Sequence, residues 1–132
     1  MLKRVFSIFL SLFVINCNPI TEKNTSESLE DFDVFYNKFH SDSVFQLSRI
    51  KFPLKGKKID GFKKEEWTAK NWDPLITKIT AIDTTEFKTS AIKRDSTFIQ
   101  KCYISDSGFY TEYQFELVDG KWNLVYALDK NL

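Results

Sequence analysis

The sequence predicts an α+β domain in which N-terminal helices pack on a curved antiparallel sheet. Three observations carry that expectation. Apolar residues recur at helical spacing through Phe32, Phe35, Tyr36 and Phe39. From Leu75 onward, short apolar runs are separated by turn residues. Asp119-Gly120 then sits between two alternating runs, the strongest short-range hairpin signal. With 132 residues and 16% aromatic content, thirteen of them Phe, the chain can bury a real core in one domain.

The elements follow in chain order. Lys3 and Arg4 precede an apolar run, Val5 to Ile15, that is shorter than the roughly 20 residues needed to span a bilayer and has signal-peptide proportions. Residues 1–16 are therefore expected to be a leader. Val14-Ile15-Asn16-Cys17 resembles a bacterial lipoprotein box, with Asn16 where a small Gly or Ala usually stands. That resemblance implies lipidation of Cys17; an uncleaved N-terminal anchor is the alternative. Asn18, not Asp, follows Cys17, which by likeness to lipoprotein sorting signals implies the outer membrane of a Gram-negative envelope, facing the periplasm. Residues 17–28 then form a polar tether and residues 29–132 the domain.

Ser28-Leu29-Glu30-Asp31 is the expected start of the first helix, with acidic residues in its first turn and Leu29 on its apolar face. That helix is predicted to reach about His40. Ser41-Asp42-Ser43 ends it and caps a short second helix through Val44, Phe45 and Leu47. Arg49 to Leu54 alternates basic with apolar and stops at Pro53, which predicts an edge strand ending in a turn. Residues 55–66, with five Lys and two Gly, predict an exposed hairpin or loop. Trp67 and Trp72 flank a predicted helical turn and are expected to cap the open end of a core or pocket. Strands are predicted at about 75–83, 86–92, 97–104, 109–118 and 121–129. The Asp119-Gly120 turn sets Val118 opposite Lys121, Leu117 opposite Trp122, Phe115 opposite Leu124 and Tyr113 opposite Tyr126. Glu112, Gln114, Glu116 and Asn123 then share the opposite, wetter face.

Helices first and a meander afterward is the order of NTF2-like and cystatin-like folds. The residues Phe32-x-x-Phe35-Tyr36-x-x-Phe39, Asp42-x-x-Phe45-Gln46-x-x-Arg49-Ile50-x-Phe52-Pro53-Leu54, Trp67 and Asp119-Gly120-x-Trp122 resemble the small secreted bacterial lipoproteins of domain of unknown function 4348. The resemblance spans about residues 29–129. It implies an NTF2-like cone and an envelope lipoprotein, and assigns no activity.

Several function classes are excluded or weakened. Of 19 basic residues the leader takes two, leaving 17 against 18 acidic ones, so no overall field recruits nucleic acid. No Cys/His cluster has metal-ligand spacing, and no nucleophile elbow, phosphate loop or dinucleotide fingerprint is present. No catalytic residue, metal or cofactor is nominated. His40, the lone histidine, reads as a cation at a helix C-terminus or as a general base. Cys102, in a strand-like run with no neighbouring His, reads as a small buried apolar residue. Arg49 with Gln46 and Asp42 reads either as a clasp or as a fork for an anion. Tyr36, Trp67, Tyr113 and Trp122 are read as core or cavity lining. The lysine-rich 55–64 run reads as a solvated hairpin or a contact for anionic headgroups.

The expected function is a non-catalytic, membrane-tethered binding module for a small apolar or amphipathic ligand, with Arg49, Gln46, Tyr36, Trp67, Tyr113 and Trp122 as candidate ligand contacts. An envelope adaptor that binds a protein partner, and an NTF2-like enzyme, are the alternatives.

Overall fold

The computed structural model describes residues 28–132. The leader, Cys17 and the tether before Ser28 lie outside the described residues. Two helices, α1 (Phe32–Ser41) and α2 (Ser43–Ser48), precede six strands: β1 (Ile50–Asp60), β2 (Lys63–Trp67), β3 (Lys88–Lys93), β4 (Thr97–Tyr103), β5 (Tyr110–Val118) and β6 (Lys121–Asn131). They form one sheet in the order β2-β1-β6-β5-β4-β3. The α+β class stands, but the sheet is mixed, because β1 runs parallel to β6.

The first helix starts later than Ser28. Asp31 is its cap, accepting from the Val34 N–H at 2.9 Å, and Leu29 lies outside the helix and is exposed. Phe32, Phe35, Tyr36 and Phe39 are buried as the spacing predicts. Asp42 ends α1 and caps α2 by accepting from the Val44 and Phe45 N–H groups. In α2 the inward residue is Gln46, whereas Val44 and Leu47 are exposed. The aromatic rings of α1 meet Phe98, Phe115 and Trp122 of the sheet edge-on or tilted, with centroids 4.7–6.0 Å apart.

β1 is neither an edge strand nor finished at Pro53. It lies between β2 and β6 and continues to Asp60, and its pairing with β6 is interrupted between Ile50 and Lys55, where Pro53 has no N–H to give. Gly56, at φ 101°, follows at once: a Cβ there would stand 1.8 Å from the Ala127 carbonyl oxygen, so only glycine lets β1 rejoin β6. The lysine-rich segment is the predicted hairpin, turning at Gly61-Phe62.

The Asp119-Gly120 turn has φ 50° and 75°, and its register is as predicted from Val118↔Lys121 to Phe115↔Leu124. A bulge at Val125 then changes it. Tyr126 pairs with Gln114, and Ala127, not Tyr126, faces Tyr113 and the core.

Residues 75–83 are not a strand. Among them only the 3₁₀ turn Ile79–Ala81 is regular, because side chains replace a neighbouring strand as hydrogen-bond partners: Gln46 takes both the N–H and the carbonyl of Leu75, and the Tyr36 hydroxyl takes the Ile79 N–H. Residues 68–71 form turns closed by Asn71 on Thr68, where a helical turn was expected.

Candidate functional site

The sheet and the 74–87 segment border an open cavity of about 470 Å³, a size suited to a small ligand. Its floor is two pairs of register partners, Gln100 with Tyr113 and Cys102 with Thr111. The walls are mostly apolar: Leu75, Ile79 and Ile82 come from the irregular segment, Phe87 and Phe109 close the side with rings 5.5 Å apart, and Thr77, Asp83 and Lys101 add polar and charged groups to the rim. The floor therefore comes from strands read correctly in the sequence, whereas the walls come mostly from a segment read as a strand.

Of the six candidate ligand contacts, Tyr113 alone lines this cavity. Its hydroxyl has no hydrogen-bond partner among the described residues. Burial, helped by nearby Asp129, pushes its proton affinity well above that of an ordinary tyrosine, so the hydroxyl stays protonated.

The other five are used in packing. Gln46 is fully buried and uses its whole hydrogen-bonding capacity: Nε2 donates to Phe39 O (2.6 Å) and Leu75 O (2.9 Å), and Oε1 accepts from Trp72 Nε1 and Leu75 N, both at 2.9 Å. Arg49 is a clasp, but its partner is Glu30 and not Asp42. The guanidinium grips the Glu30 carboxylate with two bonds of 2.7 and 2.8 Å, donates to Trp122 O at 2.9 Å and lies 4.6 Å from the Phe45 ring centre. Glu30 also accepts from the Trp122 N–H, and the Trp122 indole donates to Glu30 O. Trp67 Nε1 donates to Ala127 O at 2.8 Å, and its ring meets Trp72 edge-on in the core. Tyr36 donates to Gln100 Oε1 while accepting the Ile79 N–H.

His40 is buried, not a solvated cation at a helix end. Its Nδ1 lies 2.9 Å from Tyr36 O, which fixes the N–H there, and Nε2 is unpaired. Burial, reinforced by Lys78, lowers its pKa, so the imidazole is neutral. It borders neither large cavity. Cys102 is buried as expected, and burial pushes its thiol pKa up, away from nucleophilic use. Among the described residues no cluster of three metal-ligating side chains occurs, and no helix is long and apolar enough to cross a membrane.

A larger groove, about 1090 Å³, opens on the other sheet face where β1 leaves β6. Lys51, Lys55, Lys121, Glu116 and Asp119 give it a mixed-charge lining. Arg49 borders it with its guanidinium already occupied by Glu30. The concave cavity has the apolar walls and the free polar atoms that a ligand pocket needs.

A "-like" family model matches residues 30–131. The chain belongs to that family. It is an uncharacterised family of small bacterial proteins. A solved NMR structure of a protein from Bacteroides uniformis ATCC 8492 is similar over 79% of this chain and 78% of that one, with 28% identity and a TM-score of 0.58. No curated protein matches the sequence.

Two residues that matter were not nominated from the sequence. Gln100 had no signal beyond its place in an apolar run. In the sequence Glu30 stands out only as a first-turn acid, because its partner lies 19 residues away.

Proposed function

We propose that this protein is a lipid-anchored binding module, of the domain of unknown function 4348 type with an NTF2-like half-cone, that holds a small apolar or amphipathic ligand against the concave face of its sheet. The observation that carries the reading is the apolar cavity under residues 74–87, with Tyr113 on its floor. In this reading Cys17 carries the lipid, the outer membrane of a Gram-negative envelope holds the anchor, and the domain faces the periplasm. Binding needs no cofactor. Catalysis is the weaker alternative, because His40 stands away from the cavity and the one tyrosine inside it is held protonated.

Filling the cavity tests this. Cys102→Phe places a ring in the space beside Thr111 and Tyr113. We expect the neutral dye N-phenyl-1-naphthylamine to fluoresce on binding the wild-type chain and to lose about tenfold or more in affinity in the variant, with the melting temperature kept. Unchanged dye affinity in a folded variant contradicts the assignment of the cavity.

An adaptor role is favoured by one feature, the fully exposed Phe62 at the tip of the lysine-rich hairpin. In that case an envelope protein, not a small ligand, is the partner.

A further inference from the structure

We propose that the concave cavity selects an uncharged apolar ligand bearing one oxygen acceptor, a carbonyl or hydroxyl, seated between Gln100 Nε2 and Tyr113 Oη, and that it rejects carboxylates. The inference rests on the binding reading above and adds the ligand's chemical class.

The orientation of Gln100 is dictated by a relay. The Ile79 N–H donates to the Tyr36 hydroxyl, so that hydroxyl must use its own hydrogen on a second acceptor, and the partner it meets is Gln100 Oε1. The amide oxygen of Gln100 is thereby committed, and Nε2 with its two hydrogens must point the other way. No described residue accepts from Nε2. Across the β4–β5 pair, Tyr113 is the register partner of Gln100, and its hydroxyl is equally without a partner.

Both side chains are more than nine-tenths buried, with exposures of 4% and 8%. Yet the one side-chain nitrogen or oxygen among the described residues that is both sealed and unpaired is His40 Nε2. Gln100 Nε2 and Tyr113 Oη therefore open onto free space, and the space they border is the cavity. Two unpaired donors carried by register partners on a buried, mostly apolar floor are an arrangement that recognises one oxygen atom of an otherwise apolar molecule. A site of this kind discriminates, because a ligand lacking the acceptor leaves the donors unpaired.

Charge narrows the class. In the next row of the sheet Lys58 pairs in register with Asp129, Asp129 with Thr111, and Thr111 with Cys102, so Asp129 stands one strand beyond the cavity floor, on the same sheet face but outside the lining. Its carboxylate makes no hydrogen bond or ion pair among the described residues, and the neighbouring cation, Lys58, is bound to Asp73 at 2.6 Å. A carboxylate ligand would meet the negative charge of Asp83 on the lining and of Asp129 beside it, while the one cation on the lining, Lys101, is already paired with Glu112 at 3.7 Å. An ammonium ligand would be drawn by Asp83 and Asp129 but would set its N–H groups against the free N–H of Gln100, which wants an acceptor.

Three probes of one skeleton test the inference by NMR titration of the full chain at neutral pH: butyrophenone, butylbenzene and 4-phenylbutyrate. We expect the ketone to bind about fivefold tighter than the hydrocarbon and the carboxylate to bind most weakly. Tyr113→Phe removes a hydroxyl with no internal bond, so its melting temperature should match the wild type while the ketone preference falls to about twofold or less and butylbenzene affinity is kept. Equal binding of ketone and hydrocarbon, or tightest binding of the carboxylate, overturns the ligand class and leaves the cavity as a binding site. If no probe shifts the resonances of Gln100, Cys102 and Tyr113, the binding reading fails and takes this inference with it.

Discussion

Gln46→Leu should destabilise the protein by about 4 kcal/mol, enough to remove much of the stability of a domain this size. The side chain is nearly isosteric, so the loss does not come from a cavity. It comes from orphaning four groups at once: the carbonyls of Phe39 and Leu75, the Leu75 N–H and the Trp72 indole N–H. Each is at least partly buried, and an unpaired buried polar group costs on the order of 1–3 kcal/mol. Chemical denaturation monitored by tryptophan fluorescence reads the change. A loss below about 1 kcal/mol would mean that water reaches these groups and that Gln46 does not organise the junction. Because Gln46 fixes Leu75 at the cavity wall, a partly folded variant should also lose dye binding.

Glu30→Ala should cost about 3 kcal/mol, since it strands a guanidinium that is mostly withdrawn from water and removes the acceptor of the Trp122 N–H. The same clasp gives a pH signature. Burial opposes ionisation of Glu30, but the bonds from Arg49 and the Trp122 N–H outweigh it, and the carboxyl is held below the usual glutamate range. A folded-state value below the unfolded one means that this stabilisation is present above about pH 4.5 and is lost as pH falls through the folded value. His40 acts at higher pH with the same sign. Its folded pKa is lowered, so stability falls once pH drops below about 6.5, where the unfolded chain takes up a proton that the buried imidazole refuses. Denaturation of the wild type from pH 8 to 3 should therefore weaken in two stages. Glu30→Gln should shrink the lower stage, to which Glu112 also contributes, and keep the upper one; a variant with an unchanged profile below pH 4.5 would contradict the clasp.

The helices and the β5–β6 hairpin were legible because their signals are local: Asp42 as a cap, the Phe spacing of α1, and the αL-tolerant Asp119-Gly120 turn. The register could be carried outward from that turn only as far as the strands keep strict alternation. One inserted residue, Val125, turned Tyr126 away from the core and brought Ala127 in, and nothing in the sequence pattern marks such a bulge. The length of β1 was hidden for a different reason. Its second half, Lys55 to Asp60, is mostly lysine and glycine, and its strand state comes from the two strands that flank it, not from its own propensity.

The candidate site was the least legible part. Residues 75–83 carry apolar residues at strand-like spacing, yet their backbone is claimed by Gln46 and Tyr36, side chains about 30 to 40 positions earlier. Those long-range bonds hold the segment away from the sheet and leave the cavity beneath it. Arg49 and Gln46 were singled out because polar residues interrupted an apolar stretch, and they prove to serve the architecture that forms the cavity. Gln100 lay unmarked within β4, since a polar residue on a core face has meaning only once its partner Tyr36 is in view.

On the proposed function, the concave cavity holds a small molecule in the working protein. Native against denaturing mass spectrometry on the chain purified from the cells that make it tests this most directly. A reproducible extra mass should appear in the native spectrum, disappear on denaturation and be missing from Cys102→Phe. A bare native mass for the wild type, or an extra mass retained undiminished by the filled variant, would contradict it.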